Sequence, residues 1–432
     1  MKGLIVAAPQ SGSGKTTVTL GLLRALRRRR VPLAPGKAGP DYIDPVFHEI
    51  AAGETCFNYD PWAMRDELIL ANATLAAQGD RTLVIEAMMG LFDGAADGKG
   101  SSGDLAALLG LPVVLVIDCA RMSHSVAALA KGFAQFSPKV LVAGVILNRV
   151  GSERHEAMLR DALTKANVAV LGVLPKKDDM VLPERHLGLV QARENPAIDE
   201  EIDRVADKVE AGLDLDAILR VSRQVVPFAA PANIPRLPPP GQRIAVARDL
   251  AFAFSYEHML FGWRRRGAEI SFFSPLADEA PEEGSDAVIL PGGYPELHAG
   301  RLSAARTFRH GIDLAIGHGA QVYGECGGFM VLGEGLIDAD GIRHEMIGAL
   351  PVVTSFAKRE RHLGYRRLKP LDGFFWDMPL TGHEFHYSTI ESEGDADRLF
   401  AAEDAEGRDL GLFGLRRGSV SGSYMHVIDR AQ

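Results

Sequence analysis

Short apolar runs alternate with amphipathic stretches through the first half of the chain. Gly3–Ala8, Leu83–Ala87, Val113–Cys119, Val142–Leu147 and Val168–Val173 are almost uniformly apolar. Such runs predict parallel strands buried on both faces. Amphipathic or alanine-rich segments separate them, as in Thr17–Arg29 and Ser125–Phe136, and the alternation predicts a doubly wound α/β domain. From about Asp199 to Val221 the pattern turns helical and charged. Prolines then crowd Val226–Pro231 and Pro238–Gly241, the composition of an extended, semi-rigid connection. A second α/β unit starts at Arg243–Ala247 and continues through Ile270–Phe273, Ala287–Leu290 and Gln321–Tyr323. The expected division is 1–195, a helical and proline-rich connection over 196–241, and 242–432.

Composition narrows the picture only a little. A chain of 432 residues holds two or three domains. The net charge of −9 argues against nucleic acid or an anionic membrane surface as partner. The basic run Arg27–Arg30 closes a helical stretch, where cations complement the helix dipole. Three widely spaced cysteines, Cys56, Cys119 and Cys326, make neither a disulfide framework nor a zinc cluster. The segment after Lys2 lacks the layout of a secretory signal, and no run is long and apolar enough to span a bilayer. A cytoplasmic enzyme is the expectation.

Two motifs carry chemistry. After the first strand comes Pro9-Gln10-Ser11-Gly12-Ser13-Gly14-Lys15-Thr16-Thr17. A glycine-rich loop opening a helix presents backbone N–H groups to phosphates. In this frame Gly12, Ser13, Gly14, Lys15, Thr16 and Thr17 bind a nucleotide, with Lys15 on the β/γ-phosphates and Thr16 on Mg²⁺. Pro9 stands where such a loop usually has its first glycine. Asp41, Asp44 and Glu86 are candidate Mg²⁺ ligands alongside Thr16, since Mg²⁺ takes hard oxygens. Asp41 and Asp44 read equally well as turn formers beside proline.

The second motif is Tyr323-Gly324-Glu325-Cys326-Gly327-Gly328, a strand followed by a glycine-flanked cysteine and a helix. Such a turn exposes a nucleophile, and a helix N-terminus is expected to lower its thiol pKa. His426, His383 and His386 are the best-placed bases. The His383/Glu384/His386 cluster lacks the helical spacing of a zincin. Pro291–Glu296 follows a strand and can aim backbone N–H groups at an oxyanion.

Together these stretches resemble the cobyrinate or hydrogenobyrinate a,c-diamide synthase family over nearly the whole chain. Gly39-Pro40-Asp41-Tyr42-Ile43-Asp44-Pro45 and Gly382-His383-Glu384-Phe385-His386-Tyr387-Ser388 are the specific segments. Asn58–Trp62, Glu86–Gly94 and Ser423–His426 extend the likeness. The resemblance implies a P-loop synthetase domain like dethiobiotin synthetase, binding MgATP and a corrinoid, followed by a class I glutamine amidotransferase domain. It implies Cys326 as nucleophile on L-glutamine, His426 as proton shuttle, and Gly293 and Gly327 as oxyanion donors. Asp41, Asp44 and Asp93 would act at the amidation centre, Lys37 and Tyr42 on the macrocycle, and Asn148 on adenine. A carboxylate would become an acyl phosphate, and ammonia would attack it. Class I domains usually place a glutamate two residues after the histidine; that position is Ile428 here, so a Cys–His dyad is expected. A homodimer is the expected assembly. Cobyric acid synthase, nickel-sirohydrochlorin a,c-diamide synthase and a MinD/ParA-like ATPase switch are the rival readings.

Overall fold

The computed structural model describes residues 2–176, 184–185, 188–189, 191–222 and 234–431. Two compact units divide the chain, Met1–Ile234 and Pro235–Gln432. The first is built on seven parallel strands: β1 (Lys2–Ala7), β2 (Leu33–Ala38), β3 (Phe57–Tyr59), β4 (Thr82–Glu86), β5 (Val113–Asp118), β6 (Val142–Val150) and β7 (Val170–Pro175). Their order is β3-β2-β4-β1-β5-β6-β7. The connecting helices are α1 (Lys15–Arg28), α2 (Asp44–Ala52), α3 (Asp66–Ala76), α4 (Ser102–Leu109), α5 (Ser125–Phe136) and α6 (Glu153–Lys165). The continuous apolar runs follow from burial on both faces: Ile5, Val6, Val84 and Leu115 are fully buried. Because β1 lies between β4 and β5, the loops leaving β1 and β4 meet at the carboxyl edge of the sheet. That edge is where open α/β sheets bind ligands.

The charged helical stretch expected in the connection belongs instead to the first unit. It folds as α7 (Ile198–Gly212) and α8 (Leu215–Ser222), after a two-residue ladder β8 (Glu184–Arg185) and β9 (Gly188–Leu189). α7 packs on α1 at Gly21, where any Cβ would lie 2.6 Å from Val209 Cγ2. Arg24 reaches Asp199 at 2.6 Å and Asp203 at 2.9 Å, and Arg28 reaches Asp203 and Asp207. Within the basic run, Arg28 pairs α1 with α7 and Arg29 reaches Asp216 of α8 at 3.1 Å. Val226–Pro231 lies outside the described residues. The later prolines dock on the second unit: Leu237 is buried in its core, and Trp376 Nε1 donates to Pro238 O at 2.9 Å.

The second unit begins with parallel strands β10 (Arg243–Ala247), β11 (Glu269–Phe273), β12 (Ala287–Leu290) and β13 (Gln321–Glu325). Helices α9 (Glu257–Arg265), α10 (Ala299–Ala304), α11 (Arg306–Gly317) and α12 (Gly327–Leu332) accompany them. A small sheet in the order β15-β14-β16-β19 contains β14 (Gly335–Ile337), β15 (Arg343–Glu345), β16 (Val352–Ser355) and β19 (Thr389–Glu393). The main sheet is completed by β17 (His362–Pro370), β18 (Leu380–His386), β20 (Asp397–Glu403), β21 (Asp409–Arg417), β22 (Val420–Ser423) and β23 (Met425–Arg430). Its order is β11-β10-β12-β13-β22-β21-β20-β17-β18-β23. The parallel half ends at β22, and the remaining pairs are antiparallel. Among the described residues no helix is long and apolar enough to cross a membrane.

Candidate active sites

The phosphate loop joins β1 to α1. Gly12 and Gly14 take φ of 77° and 87°, a left-handed region that favours glycine. Ser13 Oγ donates to Gln10 O at 2.9 Å, tightening the turn. Asn148, at the end of β6, donates its amide to Ser13 O at 2.9 Å. A Cβ on Gly14 would lie 2.4 Å from that amide nitrogen. Asn148 therefore braces the loop backbone. Arg149, not singled out in the sequence, joins Gly12 O at 2.9 Å to Asp118 at 2.6 Å. Lys15 Nζ donates to Met89 O at 2.7 Å, and burial lowers its pKa. Thr17 is half-buried in the first turn of α1. Asp93 Oδ2 accepts from Gly90 N at 2.9 Å, shaping the loop after β4, while its side chain stays exposed.

The acidic residues are not an open set of ligands. Glu86 Oε1 accepts from Thr16 Oγ1 at 2.6 Å and from Lys37 Nζ at 3.0 Å. Its Oε2 meets His48 Nε2 at 2.7 Å. Lys37 also binds Asp44 at 2.5 Å and lies 3.9 Å from Asp41. Asp41 Oδ1 accepts from Ile43 N and Asp44 N, so the turn-forming reading holds for that oxygen. Burial opposes charge on Glu86, but Lys37 and His48 outweigh it and hold the carboxylate well below its ordinary range. Burial lowers the Lys37 pKa in isolation, yet Asp44, Glu86 and Asp41 drive it well above the ordinary lysine value. Asp44 is pushed up by burial and by Asp41. Lys37 thus lies among the carboxylates and is buried, as is Tyr42, so neither presents an open surface to a macrocycle. His48 was missed; its position four residues after Asp44 puts both on one face of α2. Thr16 and Glu86 remain hard oxygen donors of the kind Mg²⁺ takes.

The thiol site is built differently. Cys326 joins β13 to α12 with φ 46° and ψ −103°, outside the usual regions for a residue with a Cβ. Close packing enforces the turn, for a Cβ on Gly328 would lie 1.9 Å from Leu290 O. Cys326 N donates to Ser423 O at 2.8 Å, tying the elbow to β22. His426 enters from β23. A Cβ on Gly292 would sit 2.4 Å from His426 Cε1, 3.2 Å from its Nε2 and 3.3 Å from Cys326 Cβ. The Nε2 edge of the ring and the cysteine therefore converge on the bare backbone of Gly292. Gly293 N lies 3.0 Å from where a Cβ on Gly327 would be, so these two backbones also meet. His383 pairs with His426 across β18 and β23, while His386 stacks on Tyr424 with centroids 3.7 Å apart.

Burial sets the charges here. It pushes the Cys326 thiol well up, Glu296 adds to the rise, and the Gly327 N–H only partly opposes it. The lowered thiol pKa expected from the helix N-terminus is not found, because desolvation outweighs the dipole of a six-residue helix. Burial and the neighbouring His383 and His386 lower His426 to about 3, and burial and Arg366 lower His383 to about 3. Burial raises Glu325 to about 8, against a hydrogen bond from Val427 N at 3.1 Å. A neutral thiol thus faces a neutral imidazole. Among the described residues, His362, Glu384 and His386 form the one group with metal-ligand atoms within 4.8 Å of one another. Arg366 already supplies a cation there, binding Glu384 Oε2 at 2.6 and 2.9 Å.

A phosphate loop on one unit and a cysteine elbow with a histidine on the other define a nucleotide-binding domain joined to a glutamine amidotransferase domain. Residues 4–190 match the CobQ/CobB/MinD/ParA nucleotide binding domain, and residues 243–432 match the CobB/CobQ-like glutamine amidotransferase domain. A hydrogenobyrinate a,c-diamide synthase of Sinorhizobium sp is 65% identical over 431 residues, covering 100% of this chain and 99% of the relative. That of Rhizobium meliloti (strain 1021) is 63% identical over 429 residues, covering 99% of each. The chain belongs to the hydrogenobyrinate a,c-diamide synthase family.

Proposed function

We propose that this protein is an ATP- and glutamine-dependent ligase that amidates the a and c acetate carboxylates of hydrogenobyrinate in cobalamin biosynthesis. The observation that carries the reading is the meeting of Cys326 and His426 at Gly292, in a chain that also carries a braced phosphate loop. Cys326 Sγ attacks the side-chain amide carbon of glutamine as its proton passes to His426 Nε2. A thiol held neutral needs this concerted transfer, and an imidazole held neutral is ready to accept. The N–H groups of Gly293 and Gly327 face the developing oxyanion. His426 returns the proton to the leaving nitrogen, ammonia departs, and water frees glutamate from the thioester.

At the nucleotide-binding unit, ATP phosphorylates a substrate carboxylate, and ammonia displaces phosphate from the resulting acyl phosphate. Phosphorylation is needed because a carboxylate offers no leaving group. Lys15 and the loop N–H groups, including those of Gly12, Ser13 and Gly14, hold the phosphates. Thr16 and Glu86 would hold Mg²⁺, which offsets phosphate charge when bound. Asp41 and Asp44, held by Lys37, keep the acidic wall in place, and exposed Asp93 faces the substrate. A cytoplasmic location and a homodimeric assembly belong to the same reading.

The test is mass spectrometry of the product after incubation with MgATP, glutamine and hydrogenobyrinate or cobyrinate. Two successive additions of an amide are expected, with hydrogenobyrinate preferred. Cys326→Ala should lower the glutamine-dependent yield by at least about 10³-fold and keep the yield with ammonium salt. No amidation of either macrocycle, with ATP hydrolysis intact, sinks the reading.

A further inference from the structure

His426 can accept a proton at Nε2 only if Nδ1 carries the ring hydrogen, so a group facing Nδ1 must hold that tautomer. Two residues beyond His426 the chain has Ile428, which is buried and apolar. Glu384 is engaged elsewhere, by Arg366 at 2.6 Å and by His386 at 3.1 Å. Glu325 is placed for the task. It is the residue before the nucleophile, at the end of β13, and its side chain crosses to β23. Its Oε1 accepts from Val427 N at 3.1 Å, which ties the carboxyl to the residue next to His426. Its Oε2 lies 3.9 Å from His426 Nδ1.

We infer that Glu325 is the positioning residue of His426, accepting the Nδ1–H hydrogen bond that aims Nε2 at the Cys326 thiol. The inference deepens the glutamine half of the reaction and rests on that reading. A separation of 3.9 Å exceeds a hydrogen bond, whose N···O distance is at most about 3.2 Å. Catalytic hydrogen bonds often start long and tighten when substrate binds. Charge supplies the reason for tightening here. As Nε2 takes the thiol proton the ring becomes cationic inside a buried site; Glu384 favours that charge, and an Nδ1–H hydrogen bond to the Glu325 carboxyl oxygen, 3.9 Å away, would stabilise it further. Peptide geometry adds a coupling. Glu325 and Cys326 are consecutive on a strained turn, so one backbone segment sets the nucleophile and the orienter of its base together.

The test measures glutamate release from glutamine in the full-length protein, beside amidation driven by ammonium salt. Glu325→Gln keeps the shape and the acceptor for Val427 N. It should lower the glutamine-dependent kcat by about 10²–10⁴-fold and leave KM for glutamine and the ammonium-driven rate within about twofold. Glutamine turnover within about threefold of the parent overturns the inference. A parent protein that releases no glutamate sinks the amidotransferase reading itself, which separates the two failures. Should Glu325→Gln also lose ammonium-driven amidation, the parent protein decides through ¹⁵N NMR of labelled histidine, with His426 assigned by its absence in His426→Gln. A proton on Nδ1 supports the role of Glu325, and a proton on Nε2 overturns it.

Discussion

The two candidate active sites bury titratable groups to a similar depth and reach opposite charge states. Around the phosphate loop, Lys37, Glu86 and Asp44 are removed from water together, and Lys37 and Glu86 stay ionised because each supplies the other's countercharge. Around the thiol the neighbours act with burial: Glu296 opposes a thiolate at Cys326, and His383, His386 and Arg366 oppose cations at His426 and His383 by more than Glu384 favours them, so these groups are driven neutral. Burial alone therefore does not fix protonation; the sign of the neighbours does. The difference matches the chemistry. Phosphate transfer needs fixed charges around a polyanion, while thiol attack needs a proton free to move between two neutral groups.

Removing the central cation should break the first site hardest. Lys37→Met leaves Glu86 and Asp44 buried without it, at a cost of about 3–5 kcal/mol. Hydrogen exchange on peptides covering 33–38 and 82–86 should then lose protection by at least about 10²-fold, with the peptides of the second unit unchanged. Unchanged protection would mean the carboxyl groups are protonated, and the contrast between the sites would fall.

A smaller effect is expected from Gly292→Ala. The new Cβ would overlap His426 Cε1 and press on Cys326 Cβ. Glutamine-dependent turnover should fall about 10²-fold, the scale of a misplacement of about 1 Å. Ammonium-driven amidation should persist. Equal loss of both would show that the glycine serves folding rather than the meeting of base and nucleophile.

The mildest test is pH. His426 and His383 have folded pKa values of about 3 and His258 of about 4, all below the unfolded value of about 6.5. The unfolded chain therefore binds more protons between those limits, and stability falls as pH drops through 6.5. Glu325 acts in the opposite sense. Its folded pKa of about 8 exceeds the unfolded value of about 4.3, so it favours the fold as pH falls and cancels about one histidine. Exchange protection of peptides over 380–386 and 425–430 should accordingly decrease from pH 6.5 to 5.5. In the first unit, the depressed Glu86 contributes stability that is lost only below about pH 4.3, so peptides over 82–86 should hold. A loss of equal size in both units would erase the distinction.

Much was legible in the residue order. Apolar runs mark β1, β4, β5, β6, β7 and the parallel strands β10 to β13, because burial on both faces favours apolar side chains, whereas β2 and β3 were not read. The phosphate loop was legible because its glycines, lysine and threonine are contiguous and phosphate contact is made by local backbone. Cys326 was legible through the glycines that let its turn close. The antiparallel half of the second sheet was not read, since its strands are half-exposed and alternate irregularly.

What the sequence determined by itself is local: the parallel-strand pattern, the glycine-rich loop, the turn that carries the thiol. Tertiary structure alone decided which groups meet across the chain. It put Lys37 and His48 on Glu86, turned Asn148 into a brace, attached α7 to α1, and set Glu325 beside a histidine 101 positions away in number. It also decided charge, for the protonation of a buried group depends on neighbours that only folding supplies, and no reading of the order along the chain contains that sum.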